Sequence, residues 1–198
     1  MIDGQLRSVP SPTLKTVRDQ DGNSIVTGEV PLSLANGGVA ERLLDHWQAL
    51  RAGRTLPSRS DFDPIEVSYA LGTLNIVEVT GSDGFVVRLQ GTKVREAMGQ
   101  DMRGMDVLSI RPKIYSDVAI AHYRLATTVK VPILHPIEIH RGYLRQRYLR
   151  LLLPFCGPDD GDTVRYLITA SDWDRNRITE AFAWLGHNSP PSPMEQSG

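Results

Sequence analysis

The residues able to do chemistry in this chain are few and scattered: five histidines, one cysteine, a group of carboxylates and two arginine-rich segments. His135 and His140 are five positions apart on a β-prone run, so they point to opposite faces and cannot share a metal. Glu138 and His140 do share a face, but two ligands do not make a zinc site, and no metal centre is expected. Cys156 is the one candidate thiol nucleophile, and its setting, the Pro-Phe-Cys-Gly turn, reads as a small thiol, buried or at the surface. Asp61, Asp63 and Glu66 sit at a helix start, where carboxylates are stabilised by unpaired N–H groups. No serine–histidine arrangement, Walker loop or Gly-x-Gly-x-x-Gly spacing accompanies them, and the glycines at 99 and 104 miss that pattern. No catalytic residue is assigned. Arg141, Arg145, Arg147 and Arg150 form the most suggestive cluster: Arg145 and Arg147 share one strand face and Arg150 the other. A solvated strand face accounts for them, with docking of an acidic partner or a phosphate-bearing ligand as the functional reading. Arg51, Arg54 and Arg59 pose the same question, and pairing with Asp61 or Asp63 answers it.

The elements that must carry these residues fit one domain with extensions, as expected for 198 residues with 40% hydrophobic and 23% charged side chains. A net charge of −1 removes the electrostatic case for nucleic acid or an anionic membrane surface. A single cysteine, no bilayer-length apolar run and no leader-like start together predict a cytoplasmic protein.

Residues 1–36 carry turn signals and little periodicity, and read as a flexible arm with a short extended piece at 24–30. Val39, Leu43, Leu44, Trp47 and Leu50 mark an amphipathic helix that Gly53 ends. Asp63-Pro64 with Glu66 predicts a further, short helix. Strands at 74–80 and 85–90 flank a Ser82-Asp83-Gly84 hairpin, and Gly91-Thr92 opens a helix over 93–98 closed by Gly99. Ile114, Val118, Ala121, Leu125 and Val129 define a long helix over about 112–129. Three strands follow, the first marked as an edge strand by Pro136, then a closing helix over 174–185 and a disordered tail from 186 to 198.

This order, together with RAGRTLPSR at 51–59, Asp63-Pro64, Arg88 to Thr92 and the Gly99–Gly104 turn, resembles the PAS domain superfamily. The resemblance is to the bacterial standalone proteins of the class catalogued as type five, and it covers about residues 39–173. It implies an α+β fold: a five-stranded antiparallel sheet with helices on one face and a cavity between them, inside a domain spanning 37–173. It implies no enzyme. Haem-binding PAS domains ligate iron through a histidine on the long helix, which singles out His122, although a structural histidine is the commoner case. The light-sensing subclass carries its cysteine after the second strand, where this chain has Arg95-Glu96-Ala97-Met98, so neither haem nor flavin is expected and the cofactor is unknown.

The resulting expectation is a single-PAS sensory protein that binds a small ligand, a protein partner or both, without an output domain of its own. The rival is a carrier or enzyme using the same cavity. Strand alternation and helical spacing assign the cavity lining to Phe85, Val87, Leu89, Met98, Val118, His122, Ile137, Tyr148 and Tyr166, with Met98, Met102 and Met105 as a soft wall. Val39, Leu43, Leu44, Trp47 and Leu50 present an apolar face that needs a cover, either the sheet of the same chain or a second copy, and the resemblance tilts the expectation towards a homodimer interface.

Overall fold

The computed structural model describes residues 13–81 and 84–189. Seven antiparallel strands form one sheet in the order β1-β2-β5-β6-β7-β3-β4. The strands are β1 (Lys15–Arg18), β2 (Ser24–Thr27), β3 (Leu74–Thr80), β4 (Gly84–Gln90), β5 (Ile133–Arg141), β6 (Leu144–Cys156) and β7 (Val164–Asp172). The helices are α1 (Val39–Arg51), α2 (Thr92–Met98), α3 (Lys113–Val129) and α4 (Arg175–Asn188).

The five expected strands are present, and two more precede them. Part of the expected arm is therefore sheet: β1 and β2 form a hairpin, and β2 pairs with β5 through Ser24↔His140 to Thr27↔Ile137. Its turn is built by Asp19, whose carboxylate accepts from the Asp21 and Asn23 backbone N–H groups. Residues 1–12, the turn pair Ser82-Asp83 and the tail from 190 lie outside the described residues. The closing helix runs to Asn188, one turn past its expected end, and Asp174 caps it by accepting from the Asn176 and Arg177 N–H groups.

Pro136 does not mark an edge, because β5 lies between β2 and β6. The registers Thr27↔Ile137 and Val30↔Leu134 place Gly28 opposite Pro136. Proline has no N–H to offer there, so the Gly28 carbonyl loses a ladder partner and is instead 3.1 Å from His135 Nδ1. A side chain thus replaces the missing backbone donor, which lets proline sit in an interior strand. At the far edge, the 104–106 segment covers β4: Val87 N–H donates to the Met105 carbonyl and Gly104 N–H to that of Val87. Those bonds occupy groups that an open edge would offer to another chain.

Asp63-Pro64 opens a turn followed by a short 3-10 segment rather than an α-helix. Asp63 still accepts from the Ile65 N–H, so the capping chemistry is present while Gly72 and β3 leave no room for propagation. Gly91 is required for close approach rather than for an unusual φ. A Cβ there would come within 2.4 Å of the Gly72 carbonyl oxygen and 2.7 Å of that of Leu71. Gly91→Ala is expected to destabilise the domain by roughly 1–3 kcal/mol, because backbone has to move. Equal urea midpoints for variant and wild type would show that the 70–72 turn yields freely.

The sheet is covered on both sides. α3 lies across one face, against β2, β6 and β7, while α1 and α4 pack on β5, β6 and β7 from the other. Leu149, Leu151 and Leu153 face that second layer with exposures of 0–1%, and Leu43 and Trp47 meet it at 0% and 1%. Trp47 Nε1–H donates to the Pro154 carbonyl at 2.8 Å. This corrects the expected dimer surface. Leu43 and Trp47 are buried in their own chain, and Val39, Leu44 and Leu50 pack half-buried beside them.

Candidate functional site

Between the sheet and α3 lies a cavity of ≈ 70 Å³. Its polar wall comes from three strands: Asn75 on β3, Tyr148 and Arg150 on β6, and Thr169 and Ser171 on β7. α3 contributes Ser116, Val118, Ala119 and Tyr123, and the apolar end is closed by Val94, Met98, Met102 and Val107.

Of the expected lining, Val87, Met98, Val118, Ile137 and Tyr148 border this cavity. Phe85 is buried beside it, edge-on to Tyr123 with ring centroids 5.4 Å apart. Leu89 packs half-buried on the main core. Tyr166 belongs to the opposite face of β7, because the residues reaching the cavity are Thr169 and Ser171, of the other parity. His122 borders a second, larger opening instead. Met102 joins Met98 in the wall, while Met105 packs half-buried against the core.

Arg150 is the member that residue-by-residue reading undervalued. It shares strand parity with Tyr148, which would have been enough to place it inside. Its Nη2 donates to the Tyr148 hydroxyl at 2.8 Å, and its Nη1 reaches His122 Nδ1 at 3.5 Å. Among the described residues no carboxylate pairs with it. Its neighbours in sequence differ. Arg145 and Arg147 both meet Glu138 at 2.8 Å, and His140 joins them at 2.5 Å. Burial would raise the Glu138 carboxyl, but hydrogen bonds from Arg145 and His140 hold it below the usual range. That cluster is a neutralised strand face. Arg54 pairs with Asp61 at 2.6 Å, as expected of the first arginine segment. Cys156 is buried, with its thiol against the Pro57 carbonyl, and has the surroundings of a packing residue.

Behind Arg150, His122 of α3 and His135 of β5 stack with ring centroids 3.7 Å apart and planes 3° from parallel. Burial drives both imidazoles towards the neutral form: His135 is lowered to about 3 and His122 well below its ordinary value, with Arg150 and Lys15 adding repulsion. Parallel rings at that separation direct their in-plane lone pairs side by side rather than at one point, so they cannot chelate an ion between them. Among the described residues no group of three or more potential metal ligands comes together.

The sheet thus carries a long helix across a small cavity. The family model described as PAS domain matches residues 38–168. The chain belongs to the PAS domain family. No curated protein matches it. A solved structure similar to it is titled as an RNA-binding Light-Oxygen-Voltage receptor, at 16% identity and a TM-score of 0.44, covering 90% of this chain and 44% of that one. The chain therefore spans less than half the length of that structure. In this PAS domain β3 to β7 form the expected five strands, while β1 and β2 extend the sheet from β5 and build one wall of the second opening.

Proposed function

We propose that this PAS domain is a cytoplasmic sensory module whose cavity takes a short-chain carboxylate at Arg150, and that it reports occupancy by contact with a protein partner. The observation that carries the reading is Arg150 itself, a guanidinium bordering an interior cavity with a phenol at 2.8 Å and no carboxylate partner among the described residues. A half-buried cation without an anion is left partly unsolvated, and a bound carboxylate offsets that cost through a charge-assisted, two-pronged contact. Tyr148, Ser171 and Thr169 surround the same end with hydroxyl groups, and the buried Asn75 Oδ1 has no hydrogen-bond partner. A volume of ≈ 70 Å³ suits a ligand of a few heavy atoms, with Met98 and Met102 as the wall that repacks for a larger one.

The chemistry supports binding rather than turnover. The Ser116 hydroxyl donates to the Lys113 carbonyl at 2.8 Å, which engages its proton in the helix and leaves it without a base. Burial pushes the Tyr123 phenol up, away from any role as a general base.

Native mass spectrometry of the purified protein, followed by calorimetry with acetate, pyruvate and succinate, tests the reading. The expected result is binding of at least one carboxylate that Arg150→Gln weakens by about tenfold or more, the usual loss for a charge-assisted contact. Folded wild-type protein that neither retains nor binds any of these acids would overturn the assignment.

A further inference from the structure

On the far side of the histidine stack the surface opens into a groove of ≈ 410 Å³ between α3 and the β1–β2 hairpin. It lies outside the Arg150 cavity, and the two share Val118. His122 and His135 border the groove and separate it from Arg150.

The polar groups at this groove are poorly matched by the protein's own partners. His135 Nε2 and Thr27 Oγ1 are both buried and have no hydrogen-bond partner, on residues only 2% and 4% exposed. The tautomers follow from their neighbours. Because Gly28 offers His135 Nδ1 a carbonyl, Nδ1 carries the proton and Nε2 is left as an acceptor. Because Arg150 can only donate, His122 Nδ1 is the acceptor in that contact and its proton sits on Nε2. The groove thus presents one bare acceptor and one N–H donor on neighbouring stacked rings.

Two opposite charges complete it. The β2–β5 register that pairs Val30 with Leu134 puts Glu29 across from His135, and β1 places Lys15 across from Thr27. Neither charge forms an ion pair among the described residues, and burial raises the half-buried Glu29 carboxyl. Val118, Ala121 and Leu125 supply an aliphatic wall along α3.

We infer that this groove is a second ligand site, built for a zwitterionic α-amino acid. The ligand ammonium donates to His135 Nε2 and faces Glu29. Its carboxylate accepts from His122 Nε2–H and faces Lys15, and its side chain lies on the α3 wall. A lone carboxylic acid leaves Glu29 and His135 unserved, and a lone amine leaves Lys15 and His122 unserved. The charge pattern therefore selects a molecule carrying both groups, as an α-amino acid does on one carbon.

The test is calorimetric titration of the whole protein with each of the twenty common L-amino acids, followed by the amine and the 2-oxo acid related to any that binds. The expected result is binding by at least one aliphatic amino acid, with each single-charge analogue weaker by about tenfold. Glu29→Gln and Lys15→Met should each weaken it by a similar factor, without lowering the thermal midpoint. Arg150→Gln, whose side-chain amide still offers His122 Nδ1 a donor, should leave this affinity within about twofold while weakening carboxylate binding in the inner cavity by about tenfold or more. Two results would overturn the site: no heat from any amino acid with folded wild type, or binding that Arg150→Gln removes and Glu29→Gln does not. The second would move the ligand to the inner cavity and leave the Arg150 reading standing.

Discussion

Trp47→Ala is expected to lower the stability of this domain by about 3–5 kcal/mol, a large part of the 5–15 kcal/mol that separates folded from unfolded domains. Trp47 is 1% exposed, and its indole fills the contact between α1 and the outer face of β6 and β7. Truncation leaves a cavity that Leu43 and Phe155, both fully buried, cannot refill from their fixed positions. It also strips the Pro154 carbonyl of its Nε1–H donor at 2.8 Å. Trp47→Phe separates the two contributions: it keeps most of the ring and loses the hydrogen bond, so a loss of about 1–3 kcal/mol is expected. Urea unfolding measures both. A Trp47→Ala loss below about 1 kcal/mol would show that α1 does not cover the sheet in solution and would restore its apolar face as a surface for a partner.

Mild acid is the second large lever. His135 titrates at about 3 in the folded protein and His122 well below its ordinary value, chiefly because burial disfavours the charged ring. The unfolded chain protonates both near 6.5, so it binds more protons than the native state at any pH between the folded and unfolded values. Their contribution to stability is complete above about 7 and is lost as the pH falls towards 3. For His135 alone that is on the order of 2 kcal/mol by pH 5, and His122 acts in the same direction. Glu29, raised by burial, works the other way nearer its own range. The urea midpoint should therefore fall between pH 7 and pH 5, and His135→Asn, which keeps a donor for the Gly28 carbonyl, should flatten that slope. A wild-type midpoint constant over this range, or a slope unchanged in the variant, would contradict the neutral buried stack.

The elements were legible where one periodicity had one cause. Ile114, Val118 and the residues a turn apart on α3 announce a buried helix face, and Gly99 with φ 69° closes α2 where a glycine is needed. The β1–β2 hairpin was harder to see. Four-residue strands, one of them exposed throughout, leave little alternation to read, and their pairing with β5 is visible only in space. The site was legible in halves. Val87, Met98, Val118, Ile137 and Tyr148 follow from alternation and spacing, whereas Tyr166 was assigned to the wrong face because β7 is covered on both sides. Apolar residues of either parity are then buried, so parity alone cannot say which of them border the cavity.

By itself the sequence determined the PAS element order, the amphipathic face of α1, the methionines of the cavity wall and the absence of charge bias, since these depend on residue type and local period. Tertiary structure decided what those faces meet. It put Leu43 and Trp47 against β6 and β7 of the same chain rather than a second copy. It let Pro136 sit inside the sheet by lending Gly28 a histidine donor, and it brought His122, His135 and Arg150 together from α3, β5 and β6. Burial, tautomer and charge pairing depend on neighbours remote in sequence, and for these three residues the packing of α3 on the sheet sets all of them.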